Sequence, residues 1–248
     1  MGIRDNATKI MLGVFLIGGE DFKSVNFSPD FLFISDLTFN EKVKGVLSQL
    51  LKEGLLEKKD NSIYRLTAKG FSFLCTKFPF VRFLRESWDG KWRIISYEIP
   101  EIKRHLRDRL RREMEGWGLG PWHRSFWITP HPVIENLREL VLGKEEERYV
   151  QAFTAEHAFG NRDTLIRKVF KLDELEELYK DIFKRWHEIL SSKDSNMDKL
   201  KKVVGEYVFA LKKDPGLPQE LVGSGWIGRE SWKLFSEIKA LLYVNNAG

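Results

Sequence analysis

Apolar positions recur at helical spacing from the start of the chain. Over residues 6–17, Ile10, Met11, Val14, Phe15 and Ile17 share a broad face, and Gly18-Gly19 stops the run. Residues 20–38 lose this rhythm. Ser28-Pro29 breaks the stretch, and FLFISDL reads either as a short helix or as an insertion. The period returns at Asn40, which can cap a helix to about Glu53, with Gly54 suited to the left-handed residue that ends it. Val43, Val46, Leu47, Leu50 and Leu51 form its apolar stripe, with Glu41, Lys42, Gly45, Ser48, Gln49 and Lys52 opposite. LLEKKDNSIYRLT then predicts a hairpin, with strands over 55–58 and 63–66 around a turn at 59–62. Thr67 can cap a further helix, AKGFSFL.

The middle of the chain changes period. Residues 92–99 alternate, with Arg93, Ile95, Tyr97 and Ile99 on one face and Trp92, Ile94, Ser96 and Glu98 on the other. Both faces are partly apolar, which predicts a strand central in its sheet. Pro100 suits the start of a helix in which Ile102, Leu106, Leu110 and Trp117 form one stripe. Gly116, Gly118 and Gly120 break that pattern. A second strand over 124–129, a short helix near 134–141 and a strand near 149–154 follow, the elements of a split β-α-β, ferredoxin-like domain. From Asp163 onward the pattern is helical. LIRKVFKLDELEELYKDIFKRWHEIL covers two helices or one kinked helix, and Pro215, Pro218, Gly223, Gly225 and Gly228 mark an ordered turn region. In that region Asp214 can accept from backbone amides, and Trp226 should plug inward against the helix carrying Tyr207 and Phe209.

The reading is an α+β chain with an N-terminal winged helix-turn-helix over 1–84, a ferredoxin-like domain over 85–160 and a helical domain over 161–248. Helix, helix, hairpin, helix within the first 75 residues is the winged-helix order. In that class the second major helix enters the DNA major groove and the hairpin touches the backbone. The candidate DNA-binding residues are therefore Lys42, Ser48, Gln49 and Lys52 on the helix, and Lys58, Lys59, Asn61 and Arg65 on the hairpin. A winged helix that binds protein instead is the alternative for the same order.

Composition narrows this little. The chain has 248 residues, 42% hydrophobic, with net charge +5. The charge divides as +3 over 1–84, 0 over 85–160 and +2 over 161–248, so contact with nucleic acid must come from local patches. A single cysteine, Cys75 in FSFLCTKF, excludes an intrachain disulfide and a thiolate zinc cluster, and its apolar surroundings predict a buried structural thiol. The N-terminus lacks a signal-peptide layout and no apolar run reaches membrane-spanning length, so a cytoplasmic location without membrane partners is expected.

Several motifs taken together identify a family. WRIISYEIPE is followed by LRDRLRREMEGWGLG and SFWITP, and later by KKDPGLPQELVGSGWIG. These resemble the PaaX family, bacterial repressors of phenylacetate catabolism and their relatives. The family's Phe-Asp-Ile-Pro-Glu stands here as Tyr97-Glu98-Ile99-Pro100-Glu101, its Trp-Ile-Ser-Pro-like strand end as Trp127-Ile128-Thr129-Pro130, and its Arg-Asp-Pro-x-Leu-Pro as Lys213 to Pro218. The family's central domain is similar to the ferredoxin-like CRISPR-associated endonuclease. The resemblance implies a homodimeric repressor that binds an inverted-repeat operator in double-stranded DNA and is released by a small, acyl-coenzyme-A-like effector. The chain departs from the pattern in placing Glu98 where an aspartate is usual, in a recognition helix without arginine, and in the stretch 20–38.

The kinship to a nuclease raises a second reading. Glu98 at a strand end could hold magnesium and cut phosphodiesters if a dimer brought two copies together, although a structural carboxylate receiving backbone or arginine hydrogen bonds is the favoured role. Arg104–Asp108, Asp108–Arg112 and Arg111–Glu115 all stand at i,i+4, which predicts a self-neutralising solvated face rather than a phosphate patch. No two of the five histidines stand at i,i+4, so no metal site is expected, and no cofactor motif is present. Trp117, Trp122 and Trp127 with Arg124 are candidates for an effector pocket; for the tryptophans core packing is the competing role.

Overall fold

In the computed structural model, which describes residues 5–244, the elements in chain order are as follows. The first part comprises α1 (Asn6–Gly18), β1 (Val25–Asn26), α2 (Pro29–Ile34), α3 (Glu41–Lys52), β2 (Leu56–Asp60), β3 (Ile63–Leu66) and α4 (Ala68–Lys77). The middle comprises β4 (Trp92–Tyr97), α5 (Arg104–Gly116), β5 (Gly120–His123), β6 (Phe126–Thr129), α6 (Ile134–Val141), β7 (Val150–Ala155) and α7 (Arg162–Phe170). The last part comprises α8 (Leu172–Ser191), α9 (Asn196–Leu211), α10 (Gln219–Val222) and α11 (Ile227–Val244). Two compact units result, each built from separated segments: residues 1–77, 176–213 and 225–248 in one, and 78–175 and 214–224 in the other.

In the first unit α1 is buried on nearly every side, not along one stripe, with Ile10 through Leu16 all enclosed. Asp5 caps its start by accepting from the amides of Ala7 and Thr8 at 3.1 and 2.9 Å. At its end the Lys239 ammonium donates to the carbonyls of Leu16 and Ile17 at 3.0 and 3.1 Å, satisfying acceptors that a helix end leaves open. Burial holds the Lys239 ammonium below its ordinary pKa. Phe15 stacks on Trp232 of α11 at 5.4 Å between ring centres, and α2 packs on α9. The late helices thus complete the core begun by the N-terminal segment. Their own centre is aromatic, with Tyr207 4.7 Å from Phe235 and Trp186 edge-on to Tyr207 at 5.6 Å. Trp226 is buried, as its glycine-flanked position predicts, whereas Phe209 is 47% exposed under Lys213.

The stretch 20–38 resolves into a two-residue strand and a short helix. β1 pairs antiparallel with β3, and β3 with β2, giving the sheet order β1-β3-β2. FLFISDL is the helical option: Ser28 caps α2, accepting from the Phe31 amide at 3.2 Å. The hairpin is tighter than the sequence suggests. β2 continues to Asp60, leaving Asn61-Ser62 at the tip, with Ser62 at φ 61°. Thr67 caps α4 as expected, accepting from the Gly70 amide at 3.0 Å.

In the second unit, β4 to β7 form an antiparallel sheet of order β5-β6-β4-β7, with α5 and α6 on one face. This is the split β-α-β plan with one strand more than the sequence reading found. β4 is central, with Ile95 opposite both Trp127 and Ala152. Ile95, Tyr97, Leu110, Met114, Trp127 and Leu137 lie in the core between sheet and helices. The other face is covered at one end by α7: a Cβ on Gly120 would stand 2.4 Å from Val169, and Trp92 stacks on Phe170.

Ile102 corrects the stripe assigned to the arginine-rich helix. It lies in a 3-10 turn that precedes the start of α5 at Arg104, and it is 89% exposed. Lys171, left-handed at φ 51°, separates α7 from α8, so the long helical stretch is two helices. The turn 214–218 behaves as read from sequence: buried Asp214 accepts from the Gly216 amide at 2.7 Å. Gly216 is required there, since its φ is 63° and a Cβ would meet Phe80 N at 2.3 Å. His131 anchors the same turn, its Nε2 donating to the Pro215 carbonyl at 2.7 Å. Complete burial, with Arg82 and Arg93 nearby, pushes this imidazole down to about 3.

Candidate nucleic-acid interface and an arginine cleft

α3 carries the residues singled out for DNA. Asn40 caps it, accepting from the Val43 amide at 3.0 Å, and Val43, Leu47 and Leu50 are its buried positions. The 3.6-residue turn then sends Lys42, Ser48, Gln49 and Lys52 outward, and all four are exposed. The Gln49 amide donates to Glu53 at 2.8 Å, and Lys44 pairs with Glu41 at 2.7 Å. Lys42 and Lys52 make no ion pair among the described residues.

On the hairpin, Lys58, Lys59 and Asn61 are exposed and Arg65 is half-buried. Arg65 is tied to Glu57, which also takes Lys59 at 3.3 Å. These hydrogen bonds, Arg65 first, hold the Glu57 carboxyl below its usual range. Lys58 has no such partner among the described residues. Helix and hairpin therefore offer ammonium groups and amides in solvent, suited to phosphate oxygens and base edges.

A second charged region lies in the other unit. The end of β4 (Tyr97, Glu98, Ile99), α5 (Arg107, Arg111) and the β5–β6 turn (Arg124, Ser125) line a cleft of about 540 Å³. Glu98 is exposed, its amide donating to the Tyr149 carbonyl at 2.9 Å. Arg107 is paired with Glu101 at 2.6 Å, which raises its pKa above the ordinary guanidinium value.

Of the three i,i+4 pairs read along α5, one forms, Arg104–Asp108 at 3.5 Å. Arg111 instead lies over the Trp127 ring at 5.7 Å, and Arg109 reaches buried Glu146. Sequence reasoning missed the convergence of Arg107 and Arg111 with Glu98, because spacing along one helix does not reveal which strand end it crosses. The repeating arginines four apart, Arg107 and Arg111, were the available signal.

Of the candidate effector-pocket residues, Arg124 lines the cleft. Trp117 and Trp127 lie in the core, and Trp122 is 48% exposed on β5. Among the described residues, no group of three or more His, Cys, Asp or Glu side chains is arranged to hold a metal. Cys75 is buried. No helix among them is long and apolar enough to cross a membrane.

Comparison with known proteins adds two family matches. Residues 85–166 match the family model described as "PaaX protein central Cas2-like domain", and residues 170–247 the one described as "PaaX-like protein C-terminal domain". Among solved structures the chain is similar to "Uncharacterized protein Rv0674 from Mycobacterium tuberculosis". The TM-score is 0.52 at 18% identity, over 96% of this chain and 95% of that one, a likeness of fold. No curated protein matches the chain.

Proposed function

Because the chain belongs to the PaaX family, we propose that it is a DNA-binding transcriptional regulator, a homodimeric repressor that reads an inverted-repeat operator. The observation that carries the reading is the outward face of α3, Lys42, Ser48, Gln49 and Lys52, in the same small fold as the lysine-bearing hairpin. The order α1-β1-α2-α3-β2-β3, with the sheet order β1-β3-β2, supports a winged helix with α3 as its recognition helix. β7 supports the homodimer: it is an edge strand, VQAFTA, without charge or proline, and such edges are templates for a second chain. The acyl-coenzyme-A-like effector follows from the family resemblance. The metal-dependent nuclease reading, with magnesium on Glu98, is the alternative, and the family match favours regulation over it.

The test is footprinting of the full chain on DNA flanking its own gene. A protected inverted repeat at micromolar protein and moderate salt is the expected result. Protection nowhere, with a stable protein partner copurifying, would favour the assembly-module reading instead.

A further inference from the structure

The cleft in the second unit has chemistry that the proposed DNA-binding face does not use. Two of its guanidinium groups, Arg111 and Arg124, make no ion pair among the described residues, while a third, Arg107, is already paired with Glu101 and has the Asp108 carboxylate 3.8 Å from its Nε. Arg111 is held in place by the Trp127 ring beneath it, and that ring is fully buried, with its Nε1 donating to the Tyr97 hydroxyl at 3.3 Å. An arginine fixed before a ligand arrives loses less side-chain freedom on binding. We infer that this cleft binds a small phosphate ester, its phosphoryl group held by Arg111 and Arg124.

The number of donors selects the ligand. One guanidinium fork satisfies the two oxygens and single charge of a carboxylate. Two unpaired forks match the two charges and the several non-bridging oxygens of a phosphate monoester. The concave shape and the volume of about 540 Å³ suit a small molecule. A duplex backbone is met by open cationic surfaces, whereas this cleft also presents the carboxylate of Glu98. That carboxylate defines the rest of the ligand: a hydroxyl or amine near the phosphate that donates to Glu98.

Calorimetric titration of the full chain, without nucleic acid, tests this independently of DNA binding. The probes are inorganic phosphate, glycerol 3-phosphate and citrate. The hydroxyl-bearing ester is expected to bind at least about tenfold tighter than phosphate, and to weaken at least about tenfold in the Arg111→Gln/Arg124→Gln variant. Both arginines are exposed, so the variant should melt with wild type. Glu98→Gln should tighten inorganic phosphate, by removing a like charge, and reduce the preference for glycerol 3-phosphate, because the amide oxygen accepts from the hydroxyl more weakly than a carboxylate. Citrate binding as tightly as the ester would overturn the phosphoryl assignment. So would phosphate affinities equal in the arginine variant and wild type, or no heat from either phosphate. Duplex DNA losing affinity in that variant while the phosphates fail to bind would give the cleft to nucleic acid.

Discussion

The surface formed by α3 and the hairpin and the cleft beside β4 are both cationic, yet they are built differently. The first is open, and its charges are mostly lysines at the ends of flexible stems. Its one arginine, Arg65, is engaged with Glu57. The second is concave and arginine-based, and one of its guanidiniums rests on a buried tryptophan. Mobile ammonium groups on an open face suit a repeating backbone and tolerate any sequence. Planar forks gathered in a cleft suit one group of defined shape. Net charge does not distinguish the two; exposure, stem flexibility and the support beneath each charge do.

The sharpest way to break this contrast is to remove the support. Trp127→Ala should cost roughly 3–5 kcal/mol, the range for deleting a buried aromatic, because the ring is fully enclosed between sheet and helices. Thermal melting should show a drop of several degrees. Substitution of exposed Trp122 should leave the melting temperature within about a degree, since surface changes are usually close to neutral. A Trp127→Ala melting temperature within about a degree of wild type would mean that Trp127 is not a core position.

These tryptophans also show what the sequence could and could not convey. Helix positions with a strong period were readable: Asn40 as the cap of α3, Thr67 as the cap of α4, and residues 134–141 as α6. Elements defined by partners were not. β1 is two residues long and exists through its pairing with β3. β5 contains Pro121 and a register shift, so no alternation announced it. Most of the candidate interface was legible because it lies on one helix and one hairpin, where local spacing decides the exposed face. The cleft was not, because Glu98, Arg111 and Arg124 come from a strand end, a helix and a turn that only the tertiary fold brings together.

A moderate effect should come from His131, whose neutral, buried ring ties the β6 end to the turn 214–216. Its folded pKa of about 3 lies below the unfolded value, so the unfolded chain alone takes up a proton as pH falls. Stability is therefore full above about pH 6.5 and declines towards the folded pKa, by about 2 kcal/mol between neutrality and pH 5. Denaturant unfolding at the two pH values measures it. In His131→Phe this part of the decline should vanish; an unchanged decline would assign the pH dependence to other groups.

Smaller effects should appear on α3. Gln49→Ala should change which operator sequences are preferred, by about 1–3 kcal/mol at the affected base pair, with little change in affinity for random DNA. Competition between operator variants reads this out. A uniform loss on every sequence would make Gln49 a backbone contact.

The direct test of the central claim, that the hairpin and α3 form the DNA surface, is the salt dependence of operator binding. Lys58→Ala with Lys59→Ala should weaken binding to all sequences alike and flatten the slope of log affinity against log salt by up to about two, on the order of one for each lost phosphate contact. The charge-matched control is Lys180→Ala with Lys184→Ala on α8, where both lysines are exposed and paired with acids on their own helix. The account predicts a flattened slope for the hairpin pair and a wild-type slope for the α8 pair. An unchanged slope for the hairpin pair, or equal flattening by both, would contradict it.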